Sequence, residues 1–390
     1  MRVLFASTRG AGHFNPLVPF IEACVRGGHE VMVAGPPSLA ETVERAGYRF
    51  WPGEAPPEDE LGAVWARVPT VSREEAEAIV IGEIFAGFNV RAMLPRLRVA
   101  CAEWQPHLLL REPAEFASAL AAELQEVPHA RIGVSLAASE ELAFALAGPA
   151  LEEQLPGVTD RIRSSPYLTL FPASLEDPEA SRPELTHRFR DPAARTSADA
   201  LPDWWPGDSR PLVYISFGSV TGSMPMAGRL YEGALEAAAE LPARVLLTVG
   251  RDTDTGALGP APANVRVEPW VAQADVFRHA SLVVSHGGSG TTLGALAAGL
   301  PLVVVPLFAD QPDNARRVAA VGAGIAVWPD PDAAPEPIRS SVDPAALREA
   351  VVNVLGEPAY AHGAGRLAAE MASLPPTDSA LDAAAPTNVR

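Results

Sequence analysis

The sequence predicts an α/β protein made of two tandem, doubly wound parallel sheets. Short unbroken apolar runs, the mark of strands buried on both faces, alternate with amphipathic spacers of helix length. The alternation occurs in two series, separated by ALPDWWPGDSRP at 200–211, a stiff stretch without periodicity. At 390 residues and 48% apolar content the chain is long for one core and comfortable for two.

The first series opens with RVLFAS at 2–7. A glycine loop follows, then the helix NPLVPFIEACVRG with Pro16 near its first turn, and the strand EVMVAG. A later strand, HLLLRE, leads into a helix through EFASALAAEL. The second series reads PLVYISFG, ARVLLTVG, VRVEPWV, SLVVSH, PLVVVP and AGIAVWP, with spacers such as AGRLYEGALEAAAEL. The expected domains are therefore 1–205 and 206–373, and 374–390 reads as a loose tail.

Composition excludes several classes. A net charge of −18 disfavours nucleic acid or an anionic membrane surface as partner, because either needs a basic face. Any anion site must then be local. All 30 basic residues are arginine, which reads as a G+C-rich coding bias. Cys24 and Cys101 are the only cysteines, and no metal-type Cys/His cluster is spelled out. No apolar run is judged long enough to span a bilayer, and the N-terminus enters a strand directly, so a cytoplasmic protein without a signal peptide is expected.

The stretch SHGGSGTTLGALAAGLPLVVVPLFADQPDNARR at 285–317 carries the most chemistry. A strand runs into His286, and a glycine turn then opens a helix. Unpaired amides and the helix dipole favour phosphate at such a start. Gly299 and Pro301 stop the helix, and the next buried strand delivers Asp310 and Gln311 to the same carboxyl edge of the sheet. A diphosphate seat beside hydroxyl-binding side chains points to a nucleotide sugar.

This stretch closely resembles the donor-binding signature of inverting, twin-Rossmann glycosyltransferases, the family 1-type enzymes with the GT-B fold. Among them it looks most like actinobacterial natural-product and antibiotic glycosyltransferases. The resemblance covers nearly the whole chain and begins upstream at WVAQADVF, 270–277. It implies two Rossmann-like domains facing across a cleft, the first for the acceptor and the second for the donor, with the helix AYAHGAGRLAAEMASL crossing back to the first. It also implies that Trp270 stacks on the base, that Val271 meets its edge and that Gln273 approaches the ribose. His286 and the amides of Gly288, Ser289, Gly290 and Thr291 would hold the diphosphate, with Asp310 and Gln311 on the sugar. Gly218 and Ser219, in SFGSV, would lie near the terminal donor phosphate. Plant members carry an acid at the position of Gly294, where it binds ribose hydroxyls. Its absence favours a dTDP-sugar, with a UDP-sugar as the alternative.

TRGAGHFNP at 8–16 lies at the end of the first strand, where open α/β sheets place their chemistry. It is no dinucleotide fingerprint, since Asn15 stands where the third glycine belongs. The family resemblance makes His13 the general base toward an acceptor hydroxyl. An unperturbed imidazole titrates near ~6.5, which suits that task. Glu112 sits about where plant relatives have the aspartate of a His–Asp dyad. Glu115, one turn on, is the other candidate, and a first-turn acid facing a helix start is the plain alternative for Glu112.

Trp65, Phe85, Phe88 and Phe144 are the named candidates for an apolar, possibly polycyclic or polyketide-like aglycone site, although helical apolar stripes are more often core. Asp252-Thr253-Asp254 spells a D-x-D but reads as a hydrophilic turn, so neither metal nor cofactor is expected. The expected partners are a small-molecule aglycone and the nucleotide sugar. Two other classes fit parts of the pattern: a nucleotide-sugar epimerase or hydrolase, which would need no acceptor pocket, and a non-catalytic helper, against which the presence of His13 speaks.

Overall fold

A computed structural model describes residues 1–193, 200–222, 224, 227–251, 253–329 and 339–384. The chain divides into two compact units. Unit 1 comprises Met1–Phe171, Pro178–Asp191 and the segment from Leu374; unit 2 comprises Pro172–Asp177 and Pro192–Ser373.

Among the described residues, unit 1 carries seven strands: β1 (Arg2–Ala6), β2 (Glu30–Gly35), β3 (Arg49–Pro52), β4 (Leu108–Arg111), β5 (His129–Ile132), β6 (Tyr167–Thr169) and β7 (Thr186–Arg188). They form one parallel sheet in the order β3-β2-β1-β4-β5-β6-β7. Alternation places Leu4, Met32 and Leu109 on one face with Phe116 and Phe144, and Val3, Phe5, Val33 and Leu110 on the other with Phe14, Leu17 and Phe20.

Unit 2 carries β8 (Leu212–Ser216), β9 (Arg244–Thr248), β10 (Val265–Glu268), β11 (Leu282–Ser285), β12 (Leu302–Val304) and β13 (Gly324–Ala326). Their order is β10-β9-β8-β11-β12-β13, again all parallel. Both sheets reverse direction beside their first strand, at β1/β4 and at β8/β11. In doubly wound sheets that reversal opens a crevice at the carboxyl ends of the strands.

Several expectations change. The division falls between Asp191 and Pro192, so residues 200–211 belong to unit 2. There the Trp204 and Trp205 rings meet edge to face at 5.8 Å, and Arg244 covers Trp205. The helix Pro358–Ser373 stays with unit 2 because Gly363 packs against the Gly322 carbonyl and Ala364 and Leu367 are buried. The chain returns to unit 1 only afterwards. What read as a loose tail is folded as far as Ala384, with Thr377, Ala380 and Ala384 buried and Asp378 held bidentately by Arg26; residues 385–390 lie outside the described residues.

One helical run, Glu74–Trp104, is long and apolar enough to cross a membrane, contrary to the expectation of none. Its middle, Ile79–Asn89, is π-helical. Ala86, Val90, Met93 and Leu97 turn inward onto Phe116 and Phe144, although only 33% of its most apolar window is buried.

Candidate functional site

In unit 1 the site grows from the ends of β1 and β4. Gly10, at φ +105°, turns the chain so that a short helix, Ala11–Phe14, begins before the proline-bearing turn Asn15–Leu17. His13 therefore stands on a helical turn rather than in an open loop. Its Nδ1 lies 3.3 Å from Glu112 Oε2, with the imidazole side chain 30% exposed and the carboxylate wholly buried. The Thr8 N–H donates to Glu112 Oε1 (3.2 Å) and the Ala114 N–H to Oε2 (2.7 Å). Burial alone would raise the Glu112 pKa. The charge and hydrogen bond of His13 and the two amides outweigh it, and the carboxyl is held below its ordinary value.

Glu115 does something else. It caps the helix Phe116–Leu124 by accepting from the Ser118 N–H at 2.7 Å, and burial pushes its pKa up to about 7. Arg111, also buried, wraps the turn after β4 and donates from Nη1 to the carbonyls of Glu112 and Pro113.

Of the four aromatic acceptor candidates, Phe85 comes to the dyad: its ring centroid is 5.7 Å from that of His13. Phe88 is half-buried beneath the Arg91 guanidinium, and Trp65 is exposed at the end of the helix Glu58–Trp65. Phe144 is a correction. It is buried in the unit 1 core against Phe116, under Arg131 and Arg163, because it faces inward from the helix Ala137–Gln154.

In unit 2 the ends of β8 and β11 meet in the same topological place. Gly218, at φ +83°, leaves the space that His286 fills: a Cβ there would stand 2.8 Å from the imidazole Cε1 and Nε2. A Cβ on Gly288 would be closer still, 2.4 Å from Nε2. Between these glycines burial drives the His286 pKa down to about 4, a backbone hydrogen bond at Ser216 opposing it only in part. The ring is thus a neutral donor at physiological pH. The side chain of Ser219 lies outside the described residues.

The helix Ser289–Ala297 starts directly after Gly288. Its first ladder bond runs from the Thr292 N–H to the Gly288 carbonyl, so the amides of Ser289, Gly290 and Thr291 stand ahead of the ladder. Thr291 Oγ1 accepts from Gln273 Nε2 at 3.1 Å. Val271 is half-buried just ahead of Gln273. Trp270 is 51% exposed, with Arg251 stacked 3.8 Å from its ring centroid. Gly294 has a packing reason to lack a side chain, since a Cβ would come within 2.7 Å of Phe277 Cε2.

Ala309 adopts φ +53°, a left-handed conformation costly for alanine, immediately before Asp310. Asp310 Oδ2 accepts from Ser289 Oγ at 3.1 Å. Gln311 is 4% exposed, and its Oε1 accepts from the amides of Leu307 and Phe308, so its carbonyl braces the loop. Asn314 was missed by the sequence reading. It is wholly buried and joins Gly287, Ser289 and Asp310 through Nδ2. Its signal was a polar residue at helical spacing with the apolar Ala315 and Val318, on the buried face of the helix. The stacking of Arg251 had no sequence signal.

Of the D-x-D, Asp254 caps its own turn through Gly256 N–H, and Asp252 lies outside the described residues. A surface hollow of about 500 Å³ beside Trp205, Arg210, Leu241 and Asn264 sits at the amino ends of β8, β9 and β10, away from both switch points.

Residues 23–155 match the N-terminal domain, and 232–384 the C-terminal domain, of the erythromycin biosynthesis protein CIII-like family. The L-demethylnoviosyl transferase of Streptomyces niveus is 30% identical over 339 residues, covering 85% of this chain and 86% of the relative. A glycosyltransferase of Streptomyces sp. SF2575, solved with thymidine diphosphate, superposes with a TM-score of 0.74 at 25% identity, over 97% of this chain and 98% of that one. Spinosyn rhamnosyltransferase, solved with spinosyn aglycone, gives 0.77 at 25% identity, over 98% and 99%.

Proposed function

The chain belongs to the erythromycin biosynthesis protein CIII-like family, glycosyltransferases of antibiotic biosynthesis, and on that premise we propose that it moves a sugar from a dTDP-sugar to a hydroxyl of an apolar, polyketide-like aglycone with inversion. The observation that carries the proposal is the His13–Glu112 pair at the end of β1 and β4. With Nδ1 turned to the carboxylate, Nε2 is the atom that takes the acceptor proton. The acceptor oxygen attacks the anomeric carbon as its bond to the diphosphate breaks, and the nucleoside diphosphate leaves with the electron pair. A single displacement inverts the centre. The imidazolium formed stands beside a carboxylate already held ionised.

The leaving charge falls to unit 2. The amides of Ser289, Gly290 and Thr291 donate to the diphosphate, with His286 packed beside them between Gly218 and Gly288, a task that needs no metal. Trp270 offers an exposed indole face to the base, and Asp310 a carboxylate to the sugar hydroxyls. The choice of dTDP follows from residue 294. Phe277 occupies the room a ribose-binding acid would need, and a deoxyribose loses less by that absence. The solved relatives carrying thymidine diphosphate and spinosyn aglycone support the donor and acceptor classes.

Titration calorimetry of dTDP and UDP in one buffer tests the donor assignment. Tighter binding of dTDP is expected; tighter binding of UDP, or turnover with UDP-sugars alone, sinks it. Asp310→Ala should impair transfer far more than binding of free dTDP, and equal losses would remove the carboxylate from the sugar.

A further inference from the structure

We propose that Asn314 is a positioning residue that locks the phosphate-binding turn and the sugar-binding carboxylate into one register. Its amide nitrogen reaches both: Nδ2 donates to the Gly287 carbonyl at 2.8 Å, and lies 3.3 Å from Ser289 Oγ and 3.4 Å from Asp310 Oδ2. Ser289 Oγ closes the cycle on the same Asp310 oxygen. Three chain segments therefore meet at one buried side chain: the turn after β11, the start of the helix Ser289–Ala297, and the start of the helix Gln311–Ala320.

Each segment needs such a bolt. Gly287 stands at φ +85°, so the turn is held by its contacts rather than by an ordinary backbone preference. Ala309 is left-handed immediately ahead of Asp310, a strained conformation that persists only where the surroundings over-determine it. Hydrogen bonds to a charged acceptor are stronger than neutral ones, and the carboxylate of Asp310 is that acceptor. Asn314 Oδ1 is buried and has no hydrogen-bond partner, so the side chain is retained at a desolvation cost that a purely packing residue would not incur.

The inference rests on the donor-site reading above and adds to it a residue that touches no ligand. Asn314 sets where Asp310 stands relative to the amides of Ser289–Thr291, and so the distance between diphosphate seat and sugar contact.

A double-mutant cycle tests this. The donor is whichever dTDP-linked hexose or deoxyhexose wild type turns over fastest, with dTDP itself as the probe of nucleotide affinity. Asn314→Ala should lower transfer by about 10- to 100-fold while dTDP affinity changes by less than about 3-fold. In an Asp310→Ala background the same substitution should cost transfer less than about 2-fold, because the positioned group is gone. Asn314→Asp keeps shape but puts a second acceptor against Asp310, and should be at least as impaired as Asn314→Ala while holding the fold. Full additivity in the cycle, or parallel loss of dTDP affinity and transfer, overturns the inference. Absence of turnover in wild type with every dTDP-sugar would instead overturn the donor reading.

Discussion

The two switch points place a histidine in the same part of two sheets of the same topology and treat it in opposite ways. At β1/β4, His13 gains a buried carboxylate and keeps part of its surface open. At β8/β11, His286 is half-buried between Gly218 and Gly288, and that burial holds its neutral form down to about pH 4. On the function proposed above, the first imidazole accepts a proton and the second stays neutral. The parallel sheet supplies a crevice in both units, and what faces the histidine sets its protonation: a buried carboxylate at His13, burial between two glycines at His286.

The largest test removes the first imidazole. His13→Ala should reduce kcat by about 10² to 10⁴ while dTDP affinity stays near wild type, as read from initial rates and titration calorimetry. Near-normal transfer by the folded variant would end the assignment of the base to unit 1.

A smaller effect is expected at the second histidine. Gly218→Ala places a methyl where His286 stands and asks alanine to adopt φ +83°. It should weaken dTDP binding by about 10-fold and leave the His13–Glu112 pair unaffected. Unchanged dTDP affinity would show that the imidazole is not held for the diphosphate.

The smallest effect concerns pH. His286 is neutral in the folded state but would protonate below about 6.5 when unfolded, so the unfolded state binds more protons between about 6.5 and 4. Its contribution to stability is lost as pH falls through that window. In unit 1, burial raises Glu115 to about 7 and Glu140 to about 8 from an ordinary 4.5. Their protonated folded forms contribute stability that is lost as pH rises from about 4.5 to 8. Hydrogen exchange corrected for intrinsic rates should therefore show Glu140→Gln protecting the helix Ala137–Gln154 more at pH 8 than at pH 6. His286→Gln should relieve acid weakening in unit 2. The same sign of response at both positions would break the contrast.

The sequence made the second sheet far more legible than the first. Leu282–Ser285 and Leu302–Val304 are uninterrupted apolar strands, and each of the six strands of unit 2 was read as a run. In unit 1, β3, β5, β6 and β7 went unread. β5 is HARI, with His129 and Arg131 buried in mid-strand and matched by Glu123 and Glu141. The partners sit on the flanking helices, six and ten residues away, so charges that argue against a buried strand are satisfied only once those helices pack on the sheet. β6 and β7 are only three residues each. The site divides along the same line. The glycine turn, His286 and Asp310 lie in one continuous stretch and could be found together. The partner of His13 was harder to fix, because Glu112 and Glu115 differ only in which way their side chains turn. Gly294 was seen as a missing acid, but its cause, the Phe277 ring, lies outside any motif.

The return of Leu374–Ala384 to unit 1 has a consequence for how the protein is made. Ala380 and Ala384 belong to the same apolar layer as Val3, Phe5 and Phe20, and the Arg26–Asp378 bridge joins positions 352 residues apart. A ribosome releases the sheet of unit 1 early, and Phe14, Leu17 and Phe20 can cover most of this layer at once, but the part that Ala380 and Ala384 cover waits until the whole of unit 2 has been translated. The unit begun first is finished last.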